Sequence, residues 1–177
     1  VPHAWASVLS LQVAVAIAKE CNTLLKNKKV QVKWPNDVYL ADRKLGGVLI
    51  EAPAGGESWV IGIGLNVNNR ISEVIPGRSH PVSLAEEAGT PLDRAALLHE
   101  LLKQIVALWN RGTVTATAPY DWEDICMLTG REIDIDTPHR TIRGTCRGID
   151  ATGRLLLQTP QKTDQSTRMQ AFACLLY

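Results

Sequence analysis

Val30-Gln31-Val32-Lys33-Trp34-Pro35-Asn36-Asp37-Val38-Tyr39-Leu40 is the stretch whose reading decides the fold. Val30, Val32 and Trp34 alternate with Gln31 and Lys33, the two-residue period of a half-buried strand. Pro35-Asn36-Asp37 interrupts with turn-forming residues, and Val38-Tyr39-Leu40 resumes the extended pattern. Next, Ala41-Asp42-Arg43-Lys44 fits a turn and Leu45-Gly46-Gly47-Val48-Leu49-Ile50-Glu51 reads as a strand. Pro53-Ala54-Gly55-Gly56-Glu57 reads as a second turn, and residues 59–67 as a third extended run. Three strands joined by two short turns predict an antiparallel meander. Gly46, Gly47, Gly62 and Gly64 would weaken those strands unless they mark bulges or the close approach of a ligand or another backbone.

Upstream, Val8, Leu11, Val15 and Ala18 form one helical stripe, with Leu9, Val13 and Ile17 beside it and small residues between. The spacing predicts a helix over residues 5–27, buried on nearly all sides, with Lys26, Lys28 and Lys29 at the negative end of its dipole. Downstream, Pro76-Gly77 marks a loop and Ser83 caps a short helix begun by Leu84-Ala85-Glu86-Glu87. Asp93 caps a longer helix whose Leu97, Leu101, Ile105 and Leu108 recur at three- and four-residue steps up to Gly112. A short helix over residues 120–125 follows. From Thr129 the texture is purely β, with extended runs at 132–136, 141–149, 154–158 and 168–174. Such closely spaced short strands suggest a small barrel-like module and a boundary near residue 127.

The chain has 177 residues, of which 45% are hydrophobic and 21% charged, enough to bury a core and too apolar for a disordered tail. Its 19 Lys+Arg against 18 Asp+Glu leave a net charge of +1, so the electrostatic footprint of a nucleic-acid binder is missing. Cys21, Cys126, Cys146 and Cys174 show no CxxC pair or metal-ligand spacing and are expected to be buried, reduced thiols of a cytoplasmic protein. Residues 4–18 are too short and too polar for a membrane span, so no membrane partner is expected. His3, His80, His99 and His139 share no context and receive no catalytic role.

The densest run of functional residue types is Lys33-Trp34-Pro35-Asn36-Asp37, then Arg43-Lys44-Leu45-Gly46-Gly47, closed by Gly62-Ile63-Gly64-Leu65-Asn66-Val67-Asn68. On neighbouring strands these would form a pocket of two lysines, two asparagines, one aspartate and bare glycine backbone. Such a pocket suits a phosphorylated or adenylated ligand, because ammonium groups neutralise phosphate oxygens and glycine N–H groups approach them closely. No Walker A or Rossmann pattern is present, so phosphate handling is of another kind. Taken singly, each residue has a plainer reading: a lysine on a solvated face, Trp34 as core, Asn36-Asp37 as turn chemistry, Gly46-Gly47 as a bulge.

Together, in this order and spacing, the three motifs resemble the catalytic core of biotin protein ligases (biotin–acetyl-CoA-carboxylase ligases). The resemblance reaches the leading helix, the helix before Gly112 and Arg147-Gly148-Ile149-Asp150…Gly153…Leu155-Leu156-Leu157. It implies an α+β fold, a mixed or antiparallel sheet with helices of the class II aminoacyl-tRNA synthetase/biotin ligase kind, over residues 1–126. A small SH3-like β-barrel is implied over residues 127–177. The implied chemistry has two steps: the carboxylate of biotin attacks the α-phosphate of ATP to give biotinyl-5′-AMP and pyrophosphate, and a lysine of a biotin carboxyl carrier protein then displaces AMP. Lys33, Lys44 and Mg²⁺ would cancel the repulsion between two anions. By the same resemblance Lys44 contacts the biotin carboxylate and the adenylate phosphate, and Lys33 and Asn36 line the nucleotide side. Asn66 helps place ATP or its metal, and Gly47 offers backbone beside the biotin. Asp37 either orients the incoming lysine or holds Lys33. The metal ligands are not identified. Arg143, Arg147, Arg154 and Arg168 form a basic face on the β module that is solvated or closes over the nucleotide.

The family's Gly/Arg-rich biotin loop and a Ser-Thr contact belong upstream of the first helix, whereas this chain starts at Val1-Pro2-His3 and finishes on apolar Ala173-Cys174-Leu175-Leu176-Tyr177. The expectation is that this chain alone adenylates biotin poorly, either as part of a longer ligase or as a degenerate homologue that binds a ligand or partner without chemistry. Strands supplied upstream would also leave a sheet edge exposed, so a homodimer through that edge is expected. No helix-turn-helix precedes the core, and no repressor role is expected.

Overall fold

In the computed structural model, helix α1 (Pro2–Leu24) runs through the centre of the core, and its side chains from Val8 to Ala18 are all buried. The described residues are 2–26, 29–51, 58–71, 80–110, 122–137, 140–160 and 167–172. The turn read at 53–57, the loop at 76–77, residues 27–28, Gly112, residues 120–121, His139 and the 173–177 terminus lie outside them. A helix without a polar stripe must be covered on every side. One side packs on the first sheet and another on α3 (Arg94–Asn110).

The first sheet is a meander of β1 (Val30–Lys33), β2 (Asp37–Leu40), β3 (Arg43–Glu51) and β4 (Val60–Leu65), all neighbours antiparallel. It has one strand more than the three-stranded reading. Pro35-Asn36-Asp37 does not merely interrupt a strand: residues 34–36 reverse the chain, with a cis peptide between Trp34 and Pro35, so that Lys33 faces Asp37 across a hairpin. Val30, Val32, Val38, Leu45, Val48 and Ile50 are buried, leaving the opposite face open.

The two edges of this sheet differ. At the outer edge of β1, Asn22 accepts from the Val30 N–H (2.6 Å) and donates to its carbonyl (2.9 Å), while Val32 pairs with Cys126 and accepts from Met127 N–H (3.0 Å). Among the described residues no strand covers the outer edge of β4. Asn22→Ala should cost about 1–3 kcal/mol, because two half-buried backbone groups lose their partner. Urea unfolding should show a lowered midpoint at unchanged slope.

Helix α2 (Leu84–Ala88) starts at Ser83, whose side chain accepts from Glu86 N–H, and stops at Gly89 in the left-handed region (φ 73°). Asp93 caps α3 by accepting from Ala95 and Ala96 N–H (2.9 and 3.1 Å). The helix buries Leu97 and Leu101 as its periodicity predicts, yet Leu98, Leu102 and Val106 form a second apolar stripe that is half or more exposed. After the short α4 (Trp122–Ile125), β5 (Glu132–Asp136), β6 (Thr141–Ile149), β7 (Leu155–Pro160) and β8 (Thr167–Phe172) make a second antiparallel meander over buried Cys146, Leu155 and Leu157. The barrel expectation is met only as an open four-stranded sheet, since among the described residues β5 and β8 do not pair and no fifth strand bridges them. Among the described residues no helix is long and apolar enough to cross a membrane.

Candidate functional site

The register of the first sheet lines up Lys33 with Asp37, Asp37 with Gly47, and Gly47 with Gly64. Directly paired residues of an antiparallel sheet project to the same face. The row therefore crosses all four strands on the face that α1 leaves open. Above it lies a cleft of about 450 Å³, lined by Asn36, Asp37, Lys44, Gly47, Gly62 and Gly64 together with apolar Val48, Leu49 and Ile63. That size falls within the range of small-molecule sites.

Lys44 Nζ sits 2.6 Å from Asp37 Oδ1. Asp37 thus holds Lys44 and not Lys33, whose Nζ lies 5.4 Å from the centre of the Tyr39 ring in a cation–π contact. The first turn of β3 is itself clamped: Val82 N–H donates to Lys44 O (2.9 Å), and the Arg43 guanidinium bonds Glu86 (2.6 Å) and Glu87 on α2. Asn36 is fixed by reciprocal bonds to β3, donating through Nδ2 to Val48 O (2.6 Å) and accepting from Val48 N–H at its own carbonyl (3.0 Å). It lines the cleft with its amide nitrogen already engaged by the backbone. Asn66 does not line the cleft; it follows β4, and its amide oxygen accepts from Asn69 Nδ2 (3.0 Å).

The glycines separate into two kinds. A Cβ on Gly46 would meet the backbone Gly64 O at 2.4 Å, which excludes a side chain, and one on Gly47 would meet Asp37 Oδ1 at 2.8 Å, so the Asp37 carboxylate would have to move. A Cβ on Gly64 would meet nothing within 4 Å, and its φ is not positive. Neither packing nor backbone conformation demands glycine there. The remaining reason for a bare strand is the approach of something from outside. In the sequence, glycine inside a strand raises the close approach of a ligand at Gly62 and Gly64 but gives neither an individual role.

On the expected basic face of the second sheet, two of the arginines pair with carboxylates and one bonds a neutral amide. Arg143 lies 3.2 Å from Glu132, Arg147 donates to Gln158 (2.5 Å), and Arg154 pairs with Asp150 (2.7 Å); the Arg168 side chain is outside the described residues. Of the cysteines, Cys21, Cys126 and Cys146 are free and buried. Burial, with Glu20 adding to it, pushes the Cys21 thiol up to about 12. A hydrogen bond from Cys146 holds Cys126 below its ordinary value, while the same bond and burial push Cys146 up.

Comparison with known proteins covers both sheets. Residues 1–68 match the biotin/lipoate A/B protein ligase family, and residues 128–167 match the biotin protein ligase C-terminal domain. The bifunctional ligase/repressor BirA of Escherichia coli is 36% identical over 155 residues, covering 85% of this chain and 48% of that protein. The biotin–[acetyl-CoA-carboxylase] ligase of Paracoccus denitrificans is 31% identical over 140 residues, covering 75% and 58%. The chain thus spans about half the length of the curated relatives it matches. The biotin protein ligase of Aquifex aeolicus, solved in complex with biotin and ATP, superimposes with a TM-score of 0.72 at 22% identity, over 93% of this chain and 72% of that one. That likeness shows the fold. The family follows from the sequence kinship of both segments: the chain belongs to the biotin protein ligases.

Proposed function

We propose that the open cleft binds biotin and ATP and joins them as biotinyl-5′-AMP, the first half of ATP-dependent biotinylation of a lysine on a biotin carboxyl carrier domain. The observation that carries this reading is the row Lys33, Asp37, Gly47 and Gly64, with the Lys44 ammonium held over it by Asp37. Biotin and ATP are the ligands of the Aquifex aeolicus enzyme. Carried over to this chain, the bare Gly47, Gly62 and Gly64 backbone lies along biotin, and Lys44 reaches its carboxylate and the α-phosphate. Attack of that carboxylate on phosphorus forms the C–O–P bond and expels pyrophosphate; Lys44 and Lys33 offset the charge that builds on the phosphoryl oxygens. In the second step the acceptor amine forms the amide and AMP leaves. Asp37, released from Lys44 when the ligand takes over that ammonium, is placed to orient the amine.

Mg²⁺ would be held mainly by the nucleotide phosphates and would supply charge neutralisation there. Among the described residues no three His, Cys, Asp or Glu side chains cluster as a cation cage, and Mg²⁺ is commonly held by one or two carboxylates plus substrate phosphates. Asn66, whose amide oxygen accepts from Asn69 Nδ2, can still offer its own Nδ2 to ATP or the second lone pair of that oxygen to the metal. We assign residues 1–126 to the ligase core and 127–177 to a C-terminal module, with β5–β8 as the wall of a small SH3-like barrel. The open edge of β4 supports pairing with a second copy, and the setting is cytoplasmic.

The test is calorimetric titration of the chain with biotin and Mg-ATP, followed by mass spectrometry of a carrier domain added to the mixture. Binding of both ligands and at least slow transfer to the carrier domain are expected. Binding without transfer would instead favour the second reading, a module that holds ligand or partner without chemistry, and an absence of binding would overturn both.

A further inference from the structure

The tip of the β1–β2 hairpin, which brings Asn36 and Asp37 to the cleft, is anchored from two sides. On one side Asn36 is tied to Val48 of β3. On the other, Trp34 packs its ring against the core and donates its indole N–H to the carbonyl of Gly153 at 3.0 Å. Gly153 belongs to the β6–β7 turn of the second sheet, 119 positions away in sequence. The turn is pressed against α1 so closely that a Cβ on Gly153 would stand 2.9 Å from Leu11 Cδ1 and 3.2 Å from Val8 Cγ2.

The turn is built to hold its shape. The Asp150 carboxylate accepts from Thr152 N–H (2.9 Å), Thr152 Oγ1 (2.7 Å), Arg154 N–H (3.0 Å) and Arg154 Nε (2.7 Å). Gly153 N–H closes the turn onto Asp150 O at 2.9 Å. Desolvation pushes the Asp150 carboxyl up, but these bonds outweigh it and leave the group below its ordinary value. The turn is therefore locked by an ionised carboxylate at neutral pH.

We propose that Trp34 is a positioning residue and the Asp150–Arg154 turn its socket: the second sheet sets the placement of Asn36 and Asp37 against Lys44 and Gly47. The proposal rests on reading the cleft as the ligand site. A hairpin tip pinned only by Asn36 would pivot about β3. A second pin on the far side of the tip removes that freedom and so pre-organises the rim before ligand arrives.

The test uses two variants of the whole chain. Trp34→Phe keeps an aromatic ring, smaller than the indole, and deletes the donor, and Asp150→Ala unlocks the turn without touching the hairpin. The first readout needs no ligand: hydrogen exchange at the Val48 N–H, which donates to Asn36 O, should quicken about tenfold in both variants. Exchange at Leu157 in the second sheet should stay at the parent value. The second readout is calorimetric affinity for Mg-ATP, which should weaken about tenfold, with a fall in Tm of only about 2–4 °C. Unchanged Val48 exchange and unchanged affinity in both variants would overturn the proposal. So would exchange that quickens equally throughout the chain, the signature of a merely structural bond. If the parent binds neither biotin nor Mg-ATP, the function proposed for the cleft fails, whereas the exchange measurement still decides the positioning claim.

Discussion

Gly64→Val is expected to leave the chain as stable as the parent or slightly more so, and to weaken binding of biotin and Mg-ATP about 100-fold. The stability half follows from the surroundings. A Cβ at Gly64 meets nothing within 4 Å, the backbone does not use a positive φ, and the position lies in an extended strand. Glycine in a strand interior costs about 0.5–1 kcal/mol relative to alanine, and β-branched residues suit strands better still. The binding half follows from the cleft. Two methyl groups would rise from its floor opposite Gly47, where overpacking costs about 3 kcal/mol against a ligand that lies on bare backbone. Gly46→Ala supplies the opposite pattern from the same sheet. Its Cβ would press on Gly64 O at 2.4 Å, so the fold should lose about 2–3 kcal/mol. Thermal unfolding and calorimetric titration of the pair read both effects. A Gly64→Val chain that binds like the parent would remove the ligand from this strand.

Much of this arrangement was legible in the chain because local chemistry carried it. The caps at Ser83 and Asp93 and the buried Leu97 and Leu101 follow from spacing alone. The meander was legible as strands and turns, yet alternation at Val30, Val32 and Trp34 reports only that a face is buried. It does not say that the chain reverses at residues 34–36, and that reversal is what faces Lys33 with Asp37. Side-chain partners were legible least. Lys44 and Lys33 are equal candidates for Asp37 by composition; the register of β2 on β3, with a bulge between Val38 and Tyr39, brings Lys44 there and leaves Lys33 over Tyr39. Likewise α3 carries two apolar stripes one residue apart, and only the position of α1 decides that Leu97 is covered while Leu98 is not. Trp34 with Gly153, and Cys126 with Cys146, are contacts between segments whose separation no local pattern spans. The motif string identified the family through its residues, and the long-range contacts specify how those residues are held.

Lys44→Ala should cost about 100-fold in affinity for Mg-ATP and for biotin while barely touching stability. The Lys44–Asp37 pair is 2.6 Å long, but the two side chains are 43% and 27% exposed, and ion pairs this open contribute about 0–1 kcal/mol to folding. Against an anionic ligand that excludes water from the cleft, the same ammonium makes charge-assisted hydrogen bonds worth about 1.5–3 kcal/mol. On the proposed reading the pair keeps a cation in place for a ligand that displaces its partner. Asp37→Asn discriminates this account from simple charge counting, because its two effects have opposite signs. Removing the carboxylate frees Lys44 from a competitor, so ground-state binding of Mg-ATP should tighten by about twofold to fivefold, as a partly exposed pair of this strength allows. Transfer to the carrier lysine should fall by at least about tenfold, since a neutral amide no longer holds the amine as the proposed orienting carboxylate does. Titration calorimetry reads the first effect, and single-turnover transfer from preformed biotinyl-5′-AMP to a carrier domain reads the second. Weaker binding in Asp37→Asn would assign the carboxylate to ligand or metal contact in the first step, and unimpaired transfer would remove it from the second.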